Sequence, residues 1–75
     1  MDNKKHYYRA RKDRAPMVVT GRIYMAEPAI HRVSAVKLWD LRTRASMTLE
    51  RSTLADKSQW EELTDEEMKA MGLKP

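Results

Sequence analysis

The sequence predicts a small α+β domain: a three-stranded antiparallel sheet, one or two short C-terminal helices behind it, and a basic arm in front. Three observations lead there. Apolar and polar residues alternate in "MVVTGRIYM" (17–25), "VKLWD" (36–40) and "ASMTLE" (45–50), the period of a half-buried strand. "LTDEEM" (63–68) then carries a helix start signal, and Lys and Arg crowd the first fifteen residues.

Seventy-five residues make one domain at most. A chain of this size buries only about 60% of the surface its unfolded form exposes. Residues 1–15 read as a flexible basic arm and residues 16–75 as the domain. With no cysteine there is no disulfide and no zinc thiolate. The longest stretch without a charge is the seven residues from Ala15 to Gly21, far short of the roughly 20 apolar residues of a membrane helix. "MDNKKHYYRARK" lacks the apolar segment of a secretory signal. A soluble, cytoplasmic protein with no membrane partner is the expectation.

The elements follow in order. Tyr7 and Tyr8 are the only large apolar groups in "KKHYYRARKDR", so no strand or helix period shows there. Pro16 biases the residue before it toward extended backbone and marks where the domain begins. From Met17 to Met25, the alternation puts Met17, Val19, Ile23 and Met25 inward, with Val18, Thr20, Arg22 and Tyr24 outward; Gly21 interrupts the inward row. Glu27-Pro28 breaks the run. Residues 29–41 fit a helix starting at Pro28 or a strand from about Val36. In the strand reading Val36 and Leu38 face inward, Lys37 and Trp39 face outward, and Val33 shares the inner face through a bulge at Ser34-Ala35. Asp40 to Arg44 reads as a hairpin loop, because Asp and Thr side chains bond backbone two residues on. Met47 and Leu49 then alternate with Thr48 and Glu50. Thr53 caps a short helix running toward Trp60. Thr64 and Glu67 form a capping box, with Leu63 and Met68 as its hydrophobic staple and Gly72 as the left-handed stop. The expected core is Met17, Val19, Ile23, Val36, Leu38, Met47, Leu49, Leu54, Leu63 and Met68, with Trp60 packed among the helices.

"VKLWDLRT" resembles the end of a WD40 repeat. A WD40 blade takes roughly 40–45 residues and a propeller several blades. The chain has no second copy and no Gly-His pair upstream, so the likeness reduces to strand, Asp-held turn, strand. The succession of basic arm, short strands, "WEEL" and terminal helix is similar in style to small phage-encoded regulators with SH3-like or open-barrel sheets. That resemblance implies a sheet curled toward an SH3-like barrel and a partner such as RNA polymerase or a nuclease.

Catalytic chemistry finds little support. His6 and His31 stand far apart without adjacent carboxylates. "EELTDEE" lacks the glycine of a calcium loop, and Gly21 and Gly72 are too few for a phosphate loop. No catalytic residue, cofactor, metal or small-molecule substrate is expected. Charge is more informative. The net charge is +4, with six Lys or Arg against Asp2 and Asp13 in residues 1–14, and six acids against three lysines in residues 52–75. Lys4, Lys5, Arg9, Arg11, Lys12 and Arg14 could neutralise phosphates while Tyr7 and Tyr8 stack on bases, or the arm could be a solubilising tail. Arg22, Tyr24, Lys37 and Trp39, with Arg42 and Arg44 beside them, form a second candidate surface of residue types enriched at binding hot spots; Trp39 is either that surface or core. The expected function is a non-enzymatic module binding nucleic acid or a nucleoprotein machine such as the transcription apparatus. The alternative is a regulator or inhibitor docking on an acidic protein surface.

Overall fold

The computed structural model describes residues 5–14 and 17–73. They form a single antiparallel sheet of five strands, not three: β1 (His6–Ala10), β2 (Ile23–Pro28), β3 (Ala35–Asp40), β4 (Ser46–Glu50) and β5 (Trp60–Glu62). One helical turn, α1 (Arg51–Leu54), joins β4 to β5, and α2 (Asp65–Ala70) follows β5. The order across the sheet is β4-β3-β2-β1-β5. Four strands run as a meander, and β5 returns to pair with β1 on its far side.

Both faces of this sheet are covered, and that fact explains most of the corrections. On one face Tyr24, Ala26, Val36, Leu38 and Leu49 pack with Ala10, Val18, Leu54 and Trp60. On the other, α2 lays Met68 over Tyr7, with Leu63 beneath and Ile23, Met25, Leu41 and Leu73 around them. Adjacent residues of a strand point to opposite faces, so Tyr7 and Tyr8 part company: Tyr7 is buried under α2, and Tyr8 packs against the larger core.

The supposed arm therefore supplies β1, a strand bonded on both sides, to β2 and β5. The strand expected over 17–25 is displaced to Ile23–Pro28. Residues 17–22 instead close a loop over the larger core, where Val18 is buried and Val19, expected inside, is exposed. Tyr24, expected outward, is fully buried in the larger core, and its hydroxyl finds partners within that loop. Met17, Met47 and Ile23 are only partly buried, while Tyr7, Ala10, Val18, Tyr24, Ala26 and Ala35 join the core unforeseen. Tyr24 and Trp60 meet edge to face, ring centroids 5.6 Å apart at 88°, an arrangement worth about 0.5–1.5 kcal/mol beyond burial.

The β3–β4 hairpin matches expectation, with Leu38 opposite Met47, Val36 opposite Leu49 and Lys37 opposite Thr48. Residues 29–34 form a loop rather than helix, and Val33 is exposed there, so no bulge brings it onto the inner face. The first helix begins at Arg51, before Thr53, and ends at Leu54; the chain to Trp60 then turns into β5. Its Asp56, expected as a helix residue, accepts from Ser58 N and Gln59 Nε2 and shapes that turn. The capping box is present in full: Glu67 N donates to Thr64 Oγ1 and Thr64 N to Glu67 Oε1, both at 3.1 Å. Gly72 ends the helix at φ +75°.

Candidate nucleic-acid interface

The sheet brings one end of β1, β2, β3 and β4 together, and the candidate cations collect there. The β1–β2 loop carries Arg11, Lys12 and Arg14, all exposed; the β3–β4 turn carries Arg42 and Arg44, also exposed. Arg22 lies between them, its carbonyl accepting from Ala10 N at 3.0 Å. Strands are about 4.8 Å apart, so these positions spread over about 15 Å from β1 to β4.

Each loop is built by a carboxylate that accepts backbone N–H groups. In the turn, Asp40 is 1% exposed; its Oδ1 accepts from Arg42 N at 2.8 Å and Thr43 N at 3.3 Å, and its Oδ2 from Arg22 Nη1 at 3.4 Å. Burial pushes its pKa up, but the Arg42 and Thr43 N–H groups and the Arg22 charge outweigh it and hold the carboxyl below its ordinary value. In the β1–β2 loop, Asp13 Oδ1 accepts from Thr20 N and Thr20 Oγ1, both at 2.8 Å, bonds that lower its pKa. Gly21, at φ +88°, turns the chain back into β2. Tyr24 fixes the same loop from below, accepting from Val19 N at 3.0 Å and donating to Met17 O at 2.9 Å.

The consequence is electrostatic. Among the described residues, Arg11, Lys12, Arg14, Arg42 and Arg44 make no ion pair. The acids of the two loops are engaged elsewhere: Asp13 by the N–H and hydroxyl of Thr20, Asp40 by the Arg42 and Thr43 N–H groups and by Arg22. Lys12 only lowers the pKa of Asp56, a minor influence beside the Ser58 and Gln59 bonds that bring it to about 2. Arg44 has one further peculiarity: φ is +67°, a region glycine or asparagine normally fills.

The remaining candidates are elsewhere or already engaged. Arg9 lies on the α2 face, its Nη1 2.7 Å from Glu61 and 3.4 Å from Glu67. Of the two tyrosines expected to stack on bases, Tyr7 is buried and Tyr8 half-buried; Tyr24, expected on the contact surface, is buried as well. Trp39 is neither core nor an open platform. It is half-exposed on the face opposite the larger core, with Lys37 Nζ 4.5 Å above its ring and its Nε1 donating to Glu27 at 2.7 Å. Lys5 is exposed at the start of β1, at the other end of the sheet, and Lys4 lies outside the described residues. His6 has a carboxylate neighbour that sequence spacing hid, its Nδ1 2.9 Å from Glu62. Among the described residues no three His, Asp or Glu gather as metal ligands would, and no helix is long and apolar enough to cross a membrane.

What sequence reading missed was the role of Asp13, whose partner Thr20 gives no local signal. Asp40 was legible as a turn residue, and its bond two residues on is the one expected. No known family model, curated protein or solved structure matches the chain.

Proposed function

We propose that the chain is a non-enzymatic binding module that docks on the phosphate backbone of a nucleic acid, bare or within a nucleoprotein machine. The carrying observation is the gathering of Arg11, Lys12, Arg14, Arg42 and Arg44 from two loops, with the local carboxylates turned to backbone N–H groups rather than to these cations. A span of about 15 Å faces about four phosphates of one strand at 3.4 Å rise each. Arg44 adds support. A residue kept at a strained backbone position, where glycine would cost less, points to a use for its side chain. The strand order, with a single helical turn between β4 and β5, supports reading the sheet as SH3-like.

The burial of Tyr7 and Tyr24 favours a second reading. Without those stacking faces the basic end reads charge and little else. It would equally suit an acidic protein surface, as for a phage-encoded regulator or inhibitor on a host polymerase or nuclease. Fluorescence anisotropy with labelled DNA and RNA oligonucleotides, beside a pull-down from nuclease-treated lysate, separates the two. Salt-sensitive oligonucleotide binding supports the first. A single stoichiometric protein partner, retained after nuclease and released by charge reversal at Arg42 and Arg44, supports the second.

A further inference from the structure

The other end of the sheet presents a different surface. A groove of about 790 Å³ lies on the Tyr8 face, between the start of β1, the end of β2 and α1. Its walls include the apolar Ala26, Pro28, Val36 and Leu54. Lys5, Arg51 and Lys57 also line it. Of its two acids, Glu62 is paired with His6 at 2.9 Å, and Glu27 sends its carboxylate to the Trp39 Nε1–H, 2.7 Å away on the opposite face. Arg51 Nε donates to Val33 O at 2.7 Å, and neither Lys5 nor Lys57 is in an ion pair among the described residues. Trp60 lines the groove too, and its buried Nε1–H has no hydrogen-bond partner among the described residues. A buried donor left unpaired is unusual. The volume falls within the roughly 300–1,000 Å³ of small-molecule sites, which combine apolar walls with a few polar anchors.

We propose that this groove binds a small amphipathic anion, its apolar body against Ala26, Pro28, Val36 and Leu54 and its acidic head between Lys5, Arg51 and Lys57. The site is separate from the basic end and stands or falls independently of the polyanion reading. The full chain carrying Trp39→Phe leaves Trp60 as its sole tryptophan, so Trp60 emission reports occupancy. Titration with octanoate and with octyl phosphate gives saturable one-to-one binding, and comparing the two tells a carboxylate head from a phosphate head. Octylamine binds at least about tenfold more weakly, a difference of about 1.4 kcal/mol. Lys5→Glu with Lys57→Glu reverses that preference. Ala55→Phe, at an exposed lining position, narrows the groove and abolishes binding while circular dichroism and thermal melting show the fold intact and Trp60 remains the sole tryptophan. Octylamine binding as tightly as octanoate, octanoate binding that survives Ala55→Phe, or no saturable binding of either anion overturns the proposal.

Discussion

The two ends of the sheet use their carboxylates differently. Around the loops that follow β1 and β3, Asp13 and Asp40 accept backbone N–H groups; Arg22 is paired with Asp40, while Arg11, Arg14, Arg42 and Arg44 make no ion pair among the described residues. At the far end and along the α2 face, acids meet basic side chains directly: Glu62 with His6, Glu50 with Arg32, Glu61 and Glu67 with Arg9. Arg9 and Arg11 are two residues apart in one basic stretch, yet only Arg9 is neutralised. Counting charges along the chain cannot separate them. What separates them is position: Arg9 lies within β1, where β5 and α2 bring acids to it, and Arg11 lies in the loop beyond the strand.

Asp40→Ala should have the largest effect. It removes two bonds to a buried carboxylate and leaves Arg22 without its partner, costing about 2–3 kcal/mol. For a domain of this size the melting temperature should fall by about 10–20 °C. Oligonucleotide affinity should fall with it, since Arg42 and Arg44 lose their common anchor. A thermal melt that barely moves would mean the turn holds itself.

Tyr24→Phe comes next. It deletes one hydroxyl and strands Val19 N and Met17 O, so denaturant unfolding should show a loss of about 1–2 kcal/mol. The effect on binding discriminates better: the loop carrying Arg11, Lys12 and Arg14 should loosen, and hydrogen exchange should rise over residues 17–22 while β3 and β4 stay protected. Thr64→Ala is the matching change on the other side. Losing the cap of α2 should cost about 1 kcal/mol and leave oligonucleotide binding unchanged, because α2 carries none of the cations of the basic end.

Arg44 permits a stability-against-binding test. Arg44→Gly relieves the positive φ and Arg44→Ala does not, so the glycine variant should be more stable than the alanine variant by about 1 kcal/mol. Both should lose oligonucleotide affinity equally. Equal stabilities would show that the turn carries no strain.

The smallest effect is in acid. The pKa values of Asp13, Asp40, Asp56 and Glu67 are lowered by folding, that of Asp56 to about 2. A group whose pKa is lowered by folding stabilises the native state above its unfolded value, about 4, and loses that contribution as pH falls through the folded value. Stability should thus be flat near neutrality and decline between about pH 4 and 2. Asp56→Asn should lower stability at neutral pH and make that decline shallower in pH-dependent melts, the two proteins converging toward pH 2.

The sequence made local features legible and long-range ones opaque. Thr64, Glu67, Leu63 and Met68 lie within six positions, so the cap of α2 could be read directly. The β3–β4 hairpin was equally readable, because Asp40 and Thr43 supply their own turn chemistry. Strand β1 was hidden because "HYYRA" shows no clean alternation. Tyr7 and Tyr8 both find cover, one on each face, and Arg9 is offset by Glu61, 52 residues away. The phase of β2 was misread for the same reason. Covered on both sides, "IYMA" is apolar at every position, and only the bonds of the Tyr24 hydroxyl decide which face is deeper. "WEE" is too short to announce β5. As for the candidate site, its cations were named from the sequence, but their division into paired and unpaired needed the sheet order.

The central claim is that unpaired cations on two loops form one phosphate-binding end, and the salt dependence of oligonucleotide binding tests it most directly. Five phosphate contacts give a slope of log affinity against log salt no steeper than about −4.5 on duplex DNA, and each cation removed lowers it by about 0.9. Arg42→Ala with Arg44→Ala should flatten the slope by about 1.8, and adding Arg11→Ala and Arg14→Ala should bring it to about −0.9. Arg9→Ala, whose partner charges are already met, should leave it unchanged. A slope that Arg9→Ala flattens as much as Arg42→Ala does, or affinity indifferent to salt, would contradict the account.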